Sequence, residues 1–136
     1  MATPHVETFR TSLGRCMRTS DFLHVFYDLF MASSPEVMDK FKHTEFARQT
    51  RVLSDSLYIM AVAAESQDDA IAWRELDRLA VRHNRGNLAV APHLYDAWLE
   101  CLILAARQHD PEFSAEIQEA WRRTLAPGIE YLRSRY

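Results

Sequence analysis

The chain is poor in the residues that build tight turns and cross-links. Its 136 residues include three glycines, five prolines and two cysteines. Gly14, Gly86 and Gly128 lie far apart, which excludes a P-loop or a dinucleotide fingerprint, because both need clustered glycines for the backbone to close on phosphate. So few glycines also argue against a β-sandwich or barrel, whose turns use them repeatedly. Cys16 and Cys101 form no CxxC pair, so neither a disulfide framework nor a cysteine zinc site is expected, and a cytoplasmic setting is. No apolar run approaches the ~20 residues that span a bilayer, and the N-terminus lacks the charged-then-apolar layout of a signal peptide. A net charge of -3 offers no basic field to nucleic acid or to an acidic membrane. HExxH, GxSxG, acidic EF-hand loops and Glu-x-x-His pairs are missing as well, so hydrolase or multi-residue metal chemistry finds no support.

Hydrophobic residues make up 48% and charged residues 26%, enough apolar surface for one core, and residues 1–136 read as a single domain. Helical periodicity dominates. Phe22, Phe26, Leu29 and Phe30 follow Ser20 at helical spacing, with Ser20 as the expected N-cap. Ser34-Pro35 breaks this stretch and starts a short one that Phe41 closes. A long amphipathic helix is expected from about Thr44 to Glu65, with Phe46, Gln49, Leu53, Leu57, Met60 and Ala64 on one stripe. The polar run at 66–69 separates it from a helix ending near His83, after which Gly86 is suited to positive φ. Pro92 is expected to open the next helix, through Leu94, Trp98, Leu102 and Ala105. Asp110-Pro111 is expected to cap and open the last one, through Phe113, Ile117, Trp121 and Leu125. Pro127-Gly128 predicts a kink in that helix, since Ile129 and Leu132 continue its period. The best strand candidate, 87–91, is too short to build a sheet. The class is all-α, with six or more helices.

Three polar residues sit on otherwise apolar stripes: Tyr27, Gln49 and His83. Singly, each reads most often as a core side chain whose polar tip finds one partner. Together they read differently, because every buried hydroxyl or amide left unpaired costs about 1–3 kcal/mol. Two such groups on separate helices and a histidine on a third are explained at once by a shared polar guest in an apolar pocket. A haem with a diatomic ligand is such a guest: neutral histidine supplies an axial nitrogen, and donors across the pocket meet the ligand.

The string FYDLFMASSPEVMDKF, with a glutamine eight residues after its last phenylalanine, resembles the distal half of bacterial single-domain globins, like the haem domain of flavohaemoglobins. LAVRHNRGNLAVAPHLYDAW resembles the same family's proximal histidine and the Pro-x-x-Tyr that follows it. The likeness spans about residues 20 to 125 and implies a globin-like fold of six to eight helices enclosing haem b (iron protoporphyrin IX). It implies His83 as the iron ligand, Tyr27 and Gln49 as distal residues that stabilise the gas ligand, Phe41 as the haem-wedging phenylalanine and Leu53 as the apolar overhang. Leu79, Val90, Tyr95 and Trp98 are the further cofactor-binding positions. Arg82 stands where the family often has a basic residue at the haem edge, and reads equally as a solvated helix face. His43 is a competing sixth ligand, and Cys101 a small hydrophobe on the back wall.

Two departures are visible. The link from His83 to Tyr95 is about two residues longer than the family pattern, and the family's proximal glutamate, on which a strong electron push on the histidine depends, would fall beyond Tyr136 when counted from Trp121, with no substitute among the residues read. The resemblance implies reversible binding of O2, NO and CO for storage, scavenging or sensing. The alternative is an NO dioxygenase, which needs an external reductase because the chain contains no flavin or nicotinamide domain. A haem-free interaction protein is the third reading. A homodimer through the last two helices rests on family analogy alone.

Overall fold

The elements follow from apolar spacing, and their ends from capping chemistry. In the computed structural model, which describes residues 3–136, the order is α1 (Pro4–Met17), α2 (Phe22–Ser33), α3 (Pro35–Lys40), α4 (Phe46–Glu65), α5 (Ala70–His83), α6 (Leu94–His109) and α7 (Ala115–Ser134). The described residues contain no strand. Ser34 caps α3 by accepting from the Val37 N–H, and Asp69 caps α5 by accepting from the Ala72 N–H, each satisfying a backbone donor that would otherwise be orphaned.

Several boundaries depart from the sequence expectations. The first helix lies outside them, although Val6, Phe9, Leu13 and Cys16 recur at helical spacing and are all 0% exposed. Helix α2 starts behind Asp21, so Ser20 does not cap it. Helix α6 begins at Leu94, two residues after Pro92, and α7 begins at Ala115 behind Ser114, which accepts from the Ile117 N–H. Asp110 does not cap α7, because its carboxylate is engaged elsewhere. It accepts from Ser12 Oγ at 2.6 Å, from Arg15 Nε at 2.6 Å and Nη2 at 2.9 Å, and from the Glu112 N–H at 2.9 Å.

Helix α1 packs on α7, α2 on α6, and α4 on both α5 and α7. Trp121 of α7 fills the junction, with its ring centroid 4.7 Å from Phe9 and its Nε1 donating to Ser12 at 2.9 Å. Helix α7 runs unbroken through Pro127. Gly128 lets it close on α4, since a Cβ there would meet Met60 Cγ at 2.8 Å. A cavity lies among α2, α4, α5 and α6.

Candidate functional site

Ten of the residues singled out from the sequence line one cavity of about 300 Å³: Tyr27, Phe41, Gln49, Leu53, Leu79, Arg82, His83, Val90, Tyr95 and Trp98, whereas Cys101, expected on its back wall, is buried but does not line it. His43 does not line it and is exposed in the turn after α3. A second, more open cavity of about 330 Å³ lies between α4 and α5 and shares Val52, Ser56, Leu79 and Arg82 with the first. None of the other candidates reaches it, so the first cavity is the candidate site.

His83 is the last residue of α5, one turn beyond Leu79 and Ala80. The loop that follows folds back onto the helix end. Leu88 N–H donates to the Arg82 carbonyl at 3.0 Å and Val90 N–H to the His83 carbonyl at 2.9 Å. This return carries Leu88 and Val90 to the cavity wall. Its left-handed position is Ala89, at φ 50, and no glycine has positive φ, so the expectation for Gly86 is corrected. An alanine in that region costs about 1–2 kcal/mol, offset here by the carbonyls the turn satisfies.

The His83 ring is oriented by Tyr95 of α6, whose hydroxyl lies 3.3 Å from Nδ1. Burial, and secondarily the neighbouring Arg82 charge, lower the His83 pKa to about 4. The imidazole is therefore neutral near pH 7, with a nitrogen lone pair free for a metal.

Helices α2 and α4 supply the other wall. Tyr27 is 3% exposed and sits among aromatic rings, 4.9 Å from Phe26, 5.4 Å from Phe46 and 5.5 Å from Phe41 between centroids. Its hydroxyl donates to the Gln49 backbone carbonyl at 3.3 Å, long for an O–H···O bond. Burial pushes the Tyr27 pKa up to about 12, against the opposing pull of the Gln49 contact, so the phenol keeps its proton. Gln49 itself is half-buried.

Sequence reasoning missed several lining residues. Ser56 and Met60 lie seven and eleven positions after Gln49 and so share its helical face, a signal that was present. The Ser56 hydroxyl is spent on the Val52 carbonyl at 2.8 Å. Lys40 and Thr44 also line the cavity; Lys40 gave no signal because its place depends on the fold of the 84–93 loop. Lys40 Nζ crosses to that loop and donates to the Leu88 carbonyl at 2.8 Å.

These residues fit a haem on physical grounds. The described residues hold no group of three His, Cys, Asp or Glu side chains able to bind a bare ion. One neutral imidazole facing an apolar cavity suits a metal that arrives with its other ligands already attached, as in a porphyrin. The cavity's Phe41, Leu53, Leu79, Val90 and Trp98 suit a flat apolar ring, and Lys40 and Arg82 supply two rim cations for its carboxylates.

Comparison with known proteins agrees. The Globin family model matches residues 24–129. A Pseudomonas aeruginosa PAO1 protein, whose crystal structure is described as structurally highly homologous to a human hemoglobin, is 32% identical. The match covers 97% of this chain and 98% of that one, with a TM-score of 0.91. No curated protein matches the chain by sequence.

Proposed function

From the premise that this chain belongs to the globin family, we propose that residues 1–136 form a single domain that carries haem b on His83 and reversibly holds O2, NO or CO beside Tyr27 and Gln49. Haem supplies an iron position open to such gases. His83 supplies the axial nitrogen, and its ring is kept from turning by Tyr95. Phe41, Leu53 and Trp98 exclude water from the cavity, while Lys40 and Arg82 meet carboxylates at the rim.

The observation that carries the reading is the pairing, in one largely apolar cavity, of the His83 imidazole and the Tyr27 phenol, each with a single 3.3 Å hydrogen-bond contact. The Tyr27 proton rests on a long bond to a helix carbonyl, so turning it toward a gas ligand sacrifices little. A donor to a ligand with partial negative charge contributes about 1.5–3 kcal/mol, which slows escape of O2 about ten- to a hundredfold. CO carries less charge and gains less. Slow release suits storage, scavenging or sensing. The same donor would hold O2 long enough to meet NO, so an NO dioxygenase fed by a separate reductase is the second reading, and sustained nitrate formation decides for it. Both cysteines are free, in keeping with a cytoplasmic setting. Among the described residues no helix is long and apolar enough to cross a membrane.

The test is Tyr27→Phe in haem-loaded protein. Stopped-flow measurement should find O2 release ten- to a hundredfold faster and CO release changed less. An unchanged O2 off-rate would remove the tyrosine from the mechanism. Absorption spectra of the ferric, dithionite-reduced and CO-treated protein test the histidine ligation independently.

A further inference from the structure

The second cavity, between α4 and α5, has no part in the site described so far. It shares a wall with the first through Val52 and Ser56 of α4 and Leu79 and Arg82 of α5, while Asp55, Ile59 and Glu75 line it alone. Val52, Ser56 and Leu79 are half-buried and Arg82 is exposed, so the shared wall is one side chain thick and meets solvent. Val52 and Ser56 stand three and seven positions after Gln49, so this wall continues the helical face that carries the distal glutamine. The Ser56 hydroxyl is turned to the Val52 carbonyl of its own helix at 2.8 Å, which leaves Val52, Ile59 and Leu79 to give the passage between the cavities an aliphatic surface.

The other sides of the first cavity are closed by packed side chains. At the corner of α2 and α4 the rings of Tyr27, Phe41 and Phe46 stand 5.4–6.1 Å apart between centroids. Toward α6, Phe26 is 0% exposed and lies 6.3 Å from Trp98. Toward α7, Met60 lies so near Gly128 that a Cβ there would meet it at 2.8 Å. At the rim Lys40 Nζ is bonded across to the Leu88 carbonyl at 2.8 Å, and this is the side assigned to the haem carboxylates. A close-packed interior admits a small molecule only where a wall is thin, and the thin wall is the one between α4 and α5.

We propose that the second cavity is the gas entrance: O2, NO or CO passes from solvent by way of Ile59, then between Val52, Ser56 and Leu79, to the place beside Tyr27 and Gln49. The inference rests on the reading that the first cavity holds haem and its gas ligand. A neutral diatomic molecule needs no hydrogen-bond partner on its way, so an aliphatic constriction suits it. Side chains open to solvent change rotamer in picoseconds to nanoseconds, fast enough to let it through without any movement of the helices. A route of this kind sets the speed of entry and of exit alike and leaves the bound state untouched.

The experiment is flash photolysis and stopped-flow mixing of the haem-loaded protein with CO. Ile59 lines the second cavity and not the first, so Ile59→Trp fills the entrance and spares the site. It should slow CO association and CO dissociation by the same factor, about tenfold, and keep the equilibrium constant for CO. The fraction of photolysed CO that rebinds before it escapes should rise. Ile59→Ala should speed both rates, and Ile59→Phe replaces the tryptophan variant should that fail to fold. Parental rates in the filled variant, or a change in one rate without the other, overturn the inference: the gas then enters elsewhere, or Ile59 acts on the bound state. A parent protein with no CO-bound haem spectrum overturns the underlying reading instead, and the inference with it.

Discussion

Two sets of buried polar groups in this molecule obey opposite rules. Where α1, α6 and α7 meet, the Asp110 carboxylate is 2% exposed and accepts four hydrogen bonds of 2.6–2.9 Å, while Ser12 also accepts from Trp121. Around the cavity, Tyr27 and His83 each have one contact, both at 3.3 Å. The first set is saturated and the second is only parked. Burial tends to raise the Asp110 pKa, yet the bonds from Arg15, Ser12 and the Glu112 N–H outweigh it and hold the carboxyl below its ordinary range. At the cavity burial goes unopposed by any strong partner, and it fixes His83 and Tyr27 in their neutral forms. Saturated groups belong to the fold, while neutral, loosely partnered ones are available to a ligand.

The largest effect should come from breaking the saturated set. Asp110→Ala leaves the Arg15 charge, the Ser12 hydroxyl and a backbone N–H without their acceptor, a loss of about 3–5 kcal/mol for a buried pair. Calorimetry should find the melting temperature lower by about 10–20 °C. The O2 off-rate of the protein that remains folded should stay parental. A fall of only a few degrees would show that the network is not the structural centre described.

A smaller effect belongs to the other set, in the apoprotein, where no metal competes for the ring. The folded-state pKa of His83, about 4, lies below the ordinary value of 6.5, so the unfolded chain takes up the proton first. The contribution is complete above pH 6.5 and is lost as pH falls from there to about 4, amounting to about 3 kcal/mol. Urea titrations across that window should show the decline, and His83→Gln should flatten it. An equal slope in the variant would mean that the imidazole is not held neutral by the fold.

How far each region was legible follows from the same contrast. Tyr27, Gln49 and His83 were visible because a polar residue on an apolar stripe breaks a period that one can count. Leu53, Leu79 and Trp98 were visible because they keep it. Asp110 was misread: Asp-Pro has the local form of a helix start, but a carboxylate within reach of Arg15 and Ser12 is worth more there than as a cap. Residues 95 and 98 positions away decide its role, and no local rule contains them. Lys40 was invisible for a related reason, since the loop that meets it turns at Ala89, an alanine in a backbone region where a glycine would be expected.

The smallest effect is the most discriminating, because it separates stability from function in one residue. Tyr27→Phe removes a buried hydroxyl whose only bond is a long one, to a carbonyl that already belongs to the α4 helix. Removing a donor from such a carbonyl strands little, and the phenyl ring keeps the contacts with Phe26, Phe41 and Phe46. Denaturant unfolding of the apoprotein should therefore move by no more than about 1 kcal/mol, the worth of one ordinary hydrogen bond. The same variant is expected to change O2 release ten- to a hundredfold. A loss of about 3 kcal/mol or more, comparable to that of Asp110→Ala, would show that the hydroxyl serves the fold no less than the carboxylate does. The distinction between saturated and parked groups would then fail where it matters most.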